Sequence, residues 1–380
     1  MTVDTQVIVA GAGPVGLLLA GELRRGGADV IVVERLARPA TESRASTVHA
    51  RTMEIFDRLG LLEALAPPPR ETAGHFGGIR LDLGGLPSPY AGIWKVSQID
   101  IERVLAAWAT GLGAEIRRGR ELTGLTQHDD HVEVELSGPE RLQASYVVGC
   151  DGEGSTVRAA AGLGFDGYAA DKEMLRADVA GIDIPNRRFE RFPAGLAVAA
   201  RRPGGVTRVM VHRFGAKPGR RAGPPEFAEV AELWADVTGE DITAGTPLWV
   251  NAFDNTSRQA NRYRDRRVLL AGDAAHAQMP VGGQALNLGL QDAANLGWKL
   301  AAEVRGEAPD GLLDTYESER RPVGRRVLAN IRAQAELLLG PPAVDPARTV
   351  LAELIAFEPV RRHLAAMISG LDTSERKRHG

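Results

Sequence analysis

The sequence predicts an α/β protein in which a parallel sheet, covered by helices, is interrupted by a mostly antiparallel β-rich segment. An apolar run at 3–9 is followed by a glycine turn, an apolar helix at about 14–25 and a second β-branched run at 30–34. A similar run returns at 268–271, after a long stretch of short β-like runs and Gly/Pro turns. Continuous β-branched runs are typical of parallel strands that are buried on both faces.

The spacing of apolar residues along the rest of the chain predicts further helices and strands, and their order indicates the domain organisation. We expect further helices at 46–65, 98–112, 226–238, 286–305 and 313–339, and strands at 115–118, 122–128, 132–136, 146–150, 197–199 and 209–211. The chain therefore divides into a discontinuous first domain, a β-rich domain inserted into it, and a helical tail. The expected bounds are 1–70, 97–165 and 262–340 for the first domain, 71–96 and 166–261 for the second, and 341–380 for the tail.

Composition narrows the class of protein. The chain has 380 residues, 44% hydrophobic and 25% charged, which is typical of globular proteins. A formal charge of −3 gives no general electrostatic reason to bind nucleic acid or an anionic membrane. The single cysteine, Cys150, excludes an intrachain disulfide and a cysteine zinc cluster. Because we also find no signal sequence and no apolar run of ~18 residues, we expect a cytoplasmic protein.

The motif Gly11-Ala12-Gly13-Pro14-Val15-Gly16 joins the first strand to the first helix, and the second strand ends at Glu34, eighteen residues after Gly16. The first glycine allows a tight turn, the second lets the backbone approach a pyrophosphate, and the third allows close helix–strand packing. The helix N-terminus offers free N–H groups to phosphate. Glu34 can accept hydrogen bonds from both ribose hydroxyls. This context predicts a Rossmann-like dinucleotide site.

Two further turns follow buried strands, at 150–158 and 271–276. In open α/β sheets, ligands bind at such carboxyl ends. Taken alone, the turn at 150–158 is explained equally well by a helix cap at Ser155. The segment 280–287 then enters a long helix, and its adjacent Gly282 and Gly283 leave room for a flat ligand. The N-terminus of that helix can stabilise partial negative charge on the ligand.

In this order and spacing the motifs resemble the group A flavoprotein monooxygenases, the class of para-hydroxybenzoate hydroxylase. The motifs are GAGPVG, ER at 34–35, CDGEGSTVR at 150–158, GDAAH at 272–276 and GGQALNLGLQDAANLGWKL at 282–300. HFGGIRLDL at 75–83 and MISGLD at 367–372 are similar to the aromatic polyketide hydroxylases of antibiotic pathways. The resemblance implies a Rossmann-like FAD-binding domain of glutathione-reductase type, an inserted, mostly antiparallel β substrate domain and C-terminal helices.

The resemblance also implies residue roles toward a non-covalently bound FAD. The pyrophosphate turn comprises Gly11, Gly13, Pro14, Val15 and Gly16. Around the adenosine it places Glu34, Arg35 and backbone near Leu122. It places Arg44 and Gln98 at the pyrophosphate and ribityl region, and Gly272 and Asp273 at the ribityl chain or ribose. It gives Asp151 and Arg158 to a motif that contacts FAD and NAD(P)H. Bordering the isoalloxazine it places Pro280, Gly282, Gly283, Gln284, Ala285, Leu286 and Asn287.

The implied chemistry is hydroxylation of an aromatic small molecule, with NAD(P)H and O2 as co-substrates and a C4a-hydroperoxyflavin as the oxygen donor. NAD(P)H would dock transiently, and Pro280 would border the oxygen site in a positioning role. The base that activates the substrate is not identified. Baeyer–Villiger insertion, epoxidation or reduction on the same fold stays open, as does a catalytically idle flavin-binding protein. We expect a monomer or homodimer whose site needs no thioredoxin-like domain after the MISGLD stretch, where larger relatives carry one.

Single residues outside these motifs allow two interpretations. His276 is expected to be a structural histidine beside the flavin loop rather than an acid–base residue. Aromatic residues of the β-rich region could line a substrate pocket, although core packing explains each of them at least as well. These aromatic residues are Phe76, Tyr90, Trp94, Phe192, Phe214 and Trp249.

Overall fold

The computed structural model describes residues 3–41, 46–66, 68–219, 221 and 223–372. Its strands are β1 Thr5–Ala10, β2 Val30–Glu34, β3 Val48–His49, β4 Arg70–Glu71, β5 Ala73–Phe76, β6 Ile79–Asp82, β7 Ile93–Trp94, β8 Glu115–Arg118, β9 Leu122–Gln127, β10 Val132–Leu136, β11 Arg141–Gly149, β12 Phe165–Tyr168, β13 Glu173–Ala180, β14 Arg187–Arg191, β15 Gly195–Arg202, β16 Val206–Arg213, β17 Thr246–Asp254, β18 Ser257–Ala260, β19 Arg264–Asp265, β20 Val268–Leu270 and β21 His276–Gln278.

The helices in the described part of the chain turn an apolar face to a sheet or to another helix. They are α1 Pro14–Arg25, α2 Ala50–Arg58, α3 Gln98–Gly111, α4 Thr156–Ala160, α5 Phe227–Thr238, α6 Gln284–Val304, α7 Asp314–Leu339, α8 Asp345–Ile355 and α9 Glu358–Ser369. Short 3-10 turns lie at Glu63–Leu65, Pro203–Gly205, Gly272–Ala274, Val281–Gly283 and Pro342–Val344. Among the helices described here, none combines the length and apolarity that crossing a membrane requires.

The central sheet has the order β19-β20-β11-β1-β2-β8, and β9 and β10 extend it from β11. Strands β20, β11, β1, β2 and β8 are parallel to their neighbours in that order. Its core strands are buried in one apolar cluster with residues of α1, α3 and α6, which explains why their sequences are continuous β-branched runs. The mixed α/β architecture with a Rossmann-like parallel core, antiparallel sheets and C-terminal helices is therefore confirmed.

A second sheet, antiparallel throughout, has the order β14-β15-β16-β13-β17. One face packs on α5, where Trp234 is fully buried. The other face contributes Met174, Leu196 and Val198 to an apolar cluster that also contains Met279, Val281 and residues of α7. Strand alternation produces this division, because successive side chains point to opposite faces. The second sheet consequently covers the loop that leads into α6.

Some predicted elements were placed wrongly. The segment 46–65, predicted as one helix, contains β3, the shorter α2 and a 3-10 turn, because Val48 and His49 pair with Trp94 and Ile93 of β7. The long helix begins at Gln284 rather than near residue 286, and strand β11 begins at Arg141 rather than 146. The division into domains with the bounds given above stays a prediction.

The C-terminal helices α8 and α9 pack on the hairpin β5–β6. Ile355, Ala365 and Ile368 share a buried apolar cluster with Phe76 and Leu81 of that hairpin. Other apolar side chains of the same helices point to solvent, among them Leu354, which is 44% exposed. The tail thus contributes one buried face to the fold.

We expect Ile368→Ala to lower the free energy of unfolding by about 2–4 kcal/mol, because it removes buried methyl groups and leaves a cavity. Leu354→Ala, the matched control on the exposed side, should change it by less than about 0.5 kcal/mol. Chemical denaturation of both variants measures the difference. Equal effects would show that α9 does not pack on the hairpin as described.

Candidate dinucleotide and flavin site

The turn after β1 requires glycine because other backbone atoms approach it closely. Gly11 has a φ of +103°, and a Cβ there would lie 2.4 Å from the carbonyl oxygen of Cys150. A Cβ on Gly16 would lie 2.0 Å from the carbonyl oxygen of Gly11. Both positions therefore exclude a side chain, and α1 begins in contact with the ends of β1 and β11.

Gly13 has the opposite surroundings. No heavy atom lies within 4 Å of the position that its Cβ would take, and its φ of −76° is accessible to any residue. Gly13 is also the N-cap of α1, where no side chain caps the helix, and Pro14 follows as the first helical residue. An uncapped helix start beside open space fits a pyrophosphate, which accepts hydrogen bonds from backbone N–H groups.

Glu34 lies at the end of β2, and its carboxylate closes the glycine turn. One oxygen accepts a hydrogen bond from the N–H of Ala12 at 2.8 Å, and the other accepts one from the N–H of Leu36 at 2.8 Å. Arg35 beside it is exposed, and Leu122 is buried at the start of β9. Gln98 is the first residue of α3 and donates to Glu102.

Arg44 lies outside the described residues, so its predicted role stays a prediction.

The turn at 150–158 is held by side chains of its own. Asp151 accepts a hydrogen bond from the N–H of Val157 through Oδ2, while its buried Oδ1 has no partner among the described residues. Arg158 donates to the carbonyl oxygens of Ala274 at 2.9 Å and Glu153 at 2.6 Å. Burial lowers the pKa of Arg158, although Asp151 and Glu153 oppose the shift. Arg158 thus ties this turn to the one after β20.

The turn after β20 packs directly on α1. A Cβ on Gly272, whose φ is +65°, would lie 3.0 Å from Val15, and one on Gly289 of α6 would lie 2.7 Å from the same side chain. Asp273 is exposed at this turn. Val15 therefore joins the first motif to the third, and the turns at the carboxyl ends of β1, β11 and β20 lie together.

A buried charged group holds this turn to the helices behind it. Asp292 of α6 accepts hydrogen bonds from the N–H of Gly272 at 3.2 Å, from His276 at 2.7 Å and from Arg320 of α7 at 2.8 Å. Burial acts to raise the pKa of Asp292, but Arg320 and His276 hold it below its usual value. His276 is fully buried in this contact, as a structural histidine would be.

The loop that enters α6 has two left-handed residues, Gly282 at φ +65° and Gly283 at φ +70°. Gly283 is the N-cap of α6, and Asn287 donates to its carbonyl oxygen at 2.7 Å. Pro280 is exposed and Val281 is buried. Ala285 and Leu286 are half-buried at the helix start.

The segment 47–49 is bound to this loop, which the sequence reasoning missed. Asn287 donates to the carbonyl oxygen of Thr47 at 3.1 Å and accepts from the N–H of His49 at 2.9 Å. The His49 ring lies 2.7 Å, through Nε2, from the carbonyl oxygen of Gly282. The β-branched pair Thr47-Val48 was the available signal that this stretch is extended.

A ladder of buried amides supports the same loop from α7. The N–H of Gly77 donates to Gln334 at 3.1 Å, Gln334 donates to Asn330 at 3.0 Å, and Asn330 donates to Gln284 at 2.9 Å. No sequence motif indicated Asn330 or Gln334. Helical spacing, which puts residues four apart on one face, was the only available hint.

Each of the aromatic residues that the sequence left open makes packing, stacking or hydrogen-bond contacts in the structure. Phe76 is buried against the C-terminal helices, and Phe192 packs on the α5 side of the second sheet. Trp94 donates through its indole N–H to the carbonyl oxygen of Tyr90. Phe214 packs on the apolar cluster beneath the loop, and Trp249 stacks on Arg176, whose guanidinium carbon is 4.3 Å from the ring centroid.

The turns after β1, β11 and β20 lie together at the uncapped N-terminus of α1. This arrangement defines a dinucleotide-binding α/β protein. The FAD binding domain family matches residues 4–331. The chain is 43% identical to the rifampicin monooxygenase of Streptomyces venezuelae, over 96% of this chain and 78% of that protein. It is 42% identical to the 12-dehydrotetracycline 5-monooxygenase/anhydrotetracycline 6-monooxygenase of Streptomyces rimosus, over 96% and 76%.

Among solved structures, the chain is similar to CabE, an aromatic hydroxylase from angucycline biosynthesis. The TM-score is 0.94 at 51% identity, over 98% of this chain and 77% of that one. The chain belongs to the FAD binding domain family, within the group A flavoprotein monooxygenases. It is an FAD-dependent monooxygenase, as the sequence predicted.

The two glycines of the turn should respond differently to alanine. Gly11→Ala should destabilise the FAD-free protein by at least about 1–2 kcal/mol, because its φ is positive and Cys150 fills the space. Gly13→Ala should lower that stability by only about 0.5 kcal/mol, the difference between glycine and alanine at an N-cap, and weaken FAD binding roughly tenfold or more, since the methyl group enters the open space. Thermal unfolding and flavin titration separate the two effects. Full FAD affinity in Gly13→Ala would remove this residue from the cofactor contact.

Proposed function

We propose that this enzyme hydroxylates a polycyclic aromatic, polyketide-type phenol, using NAD(P)H and O2. The observation that carries the proposal is the cover over the loop 280–287. Met174, Leu196 and Val198 of the second sheet share one apolar cluster with Met279, which precedes that loop, and with Val281 in it. A flat apolar ring lying against this sheet face beside the loop would be close to the flavin. The names of the relatives point to the same class of substrate.

The residue roles implied by the resemblance form part of the proposal. Gly11, Gly13, Pro14, Val15 and Gly16 would hold the FAD pyrophosphate, since the open space at Gly13 lies at the uncapped start of α1. The adenosine, ribityl and ring contacts are assigned to Glu34, Arg35, Arg44, Gln98, Leu122, Asp151, Arg158, Gly272, Asp273, Pro280, Gly282, Gly283, Gln284, Ala285, Leu286 and Asn287.

When bound, FAD supplies the redox and oxygen-transfer chemistry, and the protein supplies orientation, dryness and charge stabilisation. The apolar cluster of Met279 and Val281 with the second sheet excludes water from these two side chains, on one side of the loop. The N-terminus of α6, which begins at Gln284, favours negative charge nearby. Pro280 precedes the two glycines of the loop and keeps a positioning role.

The sheet face over the loop continues outward to groups that suit an aromatic substrate. Arg176 neighbours Met174 on this face and stacks on Trp249 at 4.3 Å and Phe253 at 5.5 Å. A guanidinium beside aromatic rings can bind both a phenolate oxygen and a π face. We infer that this end of the sheet face contacts the outer rings of the substrate.

The cellular location, the oligomeric state and the domain bounds form part of the same proposal. The enzyme works in the cytoplasm as a monomer or homodimer on a small molecule, without nucleic acid or membrane. The proposed domain bounds are 1–70, 97–165 and 262–340 for the FAD domain, 71–96 and 166–261 for the substrate domain, and 341–380 for the tail. The apolar cluster that the tail shares with β5–β6 supports its packing on the substrate domain.

Glu34→Ala and Asp273→Ala should each weaken FAD affinity roughly ten- to a hundredfold, because each removes a charged acceptor of cofactor hydroxyl groups. Glu232→Ala, which removes an exposed carboxylate of α5, is the control and should bind FAD normally, because α5 packs on the face of the second sheet that is turned away from the loop 280–287. Titration of the FAD-free protein measures all three. Wild-type affinity in both site variants would refute the cofactor assignments of Glu34 and Asp273.

Incubation of the FAD-loaded enzyme with NAD(P)H, O2 and a panel of polycyclic phenols tests the function. We expect a product heavier by one oxygen atom, about 16 mass units, with the label retained from 18O2. A gain of two hydrogen atoms would indicate reduction instead. Oxygen insertion that expands a ketone ring, or an epoxide product, would indicate the other open reactions. NAD(P)H oxidation to peroxide alone with every phenol would favour the idle protein.

A further inference from the structure

His49 occupies a buried position directly behind the loop 280–287. Its side chain is fully buried. The ring Nε2 lies 2.7 Å from the carbonyl oxygen of Gly282, and the backbone N–H of His49 donates to Asn287 at 2.9 Å. A Cβ on Gly283 would lie 3.6 Å from the same Nε2. The ring therefore contacts the peptide that joins Gly282 to Gly283.

The protonation of the ring follows from its partners. Because a carbonyl oxygen only accepts, Nε2 must carry the hydrogen. Burial lowers the pKa of His49 to about 4, so the ring is neutral at neutral pH and Nδ1 is bare. The described residues offer Nδ1 no hydrogen-bond partner, which agrees with this tautomer. His49 is thus a fixed single donor to the loop.

The bond reaches beyond the carbonyl that accepts it. The carbonyl of Gly282 and the N–H of Gly283 belong to one planar peptide and point in opposite directions. A donor on the carbonyl fixes the plane of this peptide and polarises it, which strengthens the N–H on the other side. Both glycines have a positive φ and no side chain, and among the described residues the His49 ring makes the one side-chain hydrogen bond to this peptide.

We propose that His49 is a positioning residue, which orients and polarises the Gly282–Gly283 peptide so that its N–H stabilises negative charge on the reduced flavin. The inference rests on the proposed function, in which the loop 280–287 borders the isoalloxazine. A donor behind the peptide favours the reduced, anionic cofactor over the oxidised one. Removing this donor should therefore weaken the affinity for reduced FAD more than the affinity for oxidised FAD.

The test compares His49→Leu, His49→Asn and His49→Gln in the FAD-loaded enzyme. Leucine carries no donor, asparagine is too short to place its amide at the Nε2 position, and glutamine reaches that position. We expect the affinity for reduced FAD, relative to oxidised FAD, to fall about three- to tenfold in the leucine and asparagine variants. Glutamine should restore the ratio to within about twofold. A tenfold change equals about 30 mV in the two-electron midpoint potential, measured by anaerobic dye equilibration.

His212→Leu is the matched control. His212 is also buried, but its ring nitrogens face the carbonyl oxygens of Glu173 and Leu339. The two-electron midpoint potential of FAD in His212→Leu should equal that in the wild type. If the leucine variant fails to fold, the asparagine and glutamine variants decide the question.

An unchanged potential in His49→Asn, or equal shifts in the asparagine and glutamine variants, overturns the inference while the proposed function stands. A wild-type chain that binds no FAD overturns both.

Discussion

The close approach of α1 to the ends of β1 and β11 is the constraint on which the rest of the site depends. A Cβ on Gly11 would meet the Cys150 carbonyl at 2.4 Å, so the helix can begin here only on a glycine turn. Once α1 is placed, Val15 fixes the distance at which Gly272 and Gly289 pack. The turn after β20 and the start of α6 follow from that distance, because neither glycine has a side chain that could hold them apart.

A second level of organisation comes from buried polar groups. Asp292 links the N–H of Gly272 to His276 and Arg320, and Arg158 links the second and third turns through backbone carbonyls. Each is a charge that burial alone disfavours, and each is compensated by specific partners. Because the pKa of Asp292 is lowered by folding, its contribution to stability is present at neutral pH and is lost as the pH falls through the folded-state value.

Much of this fold was predictable because its signals are local. The run from β1 through the glycine turn and α1 to Glu34 carries its own periodicity and turn chemistry, and so does the return at β20. The segment 46–65 was misjudged because Val48 pairs with Trp94, forty-six positions later, and His49 is bound by Asn287 of α6. The contacts of Asp292 with Arg320, and of Gln284 with Asn330, also join distant positions. Sequence periodicity marks such residues as buried or polar but does not pair them.

The amide ladder from Gly77 to Gln284 has a polarity. Each side-chain amide has a donor end and an acceptor end, so a chain of them can run in only one of two senses. The backbone N–H of Gly77 can only donate, and it therefore sets the sense for Gln334, Asn330 and Gln284 in turn. The tip of the hairpin β5–β6 thus dictates which end of the Gln284 amide faces the loop, at a distance of more than two hundred positions along the chain.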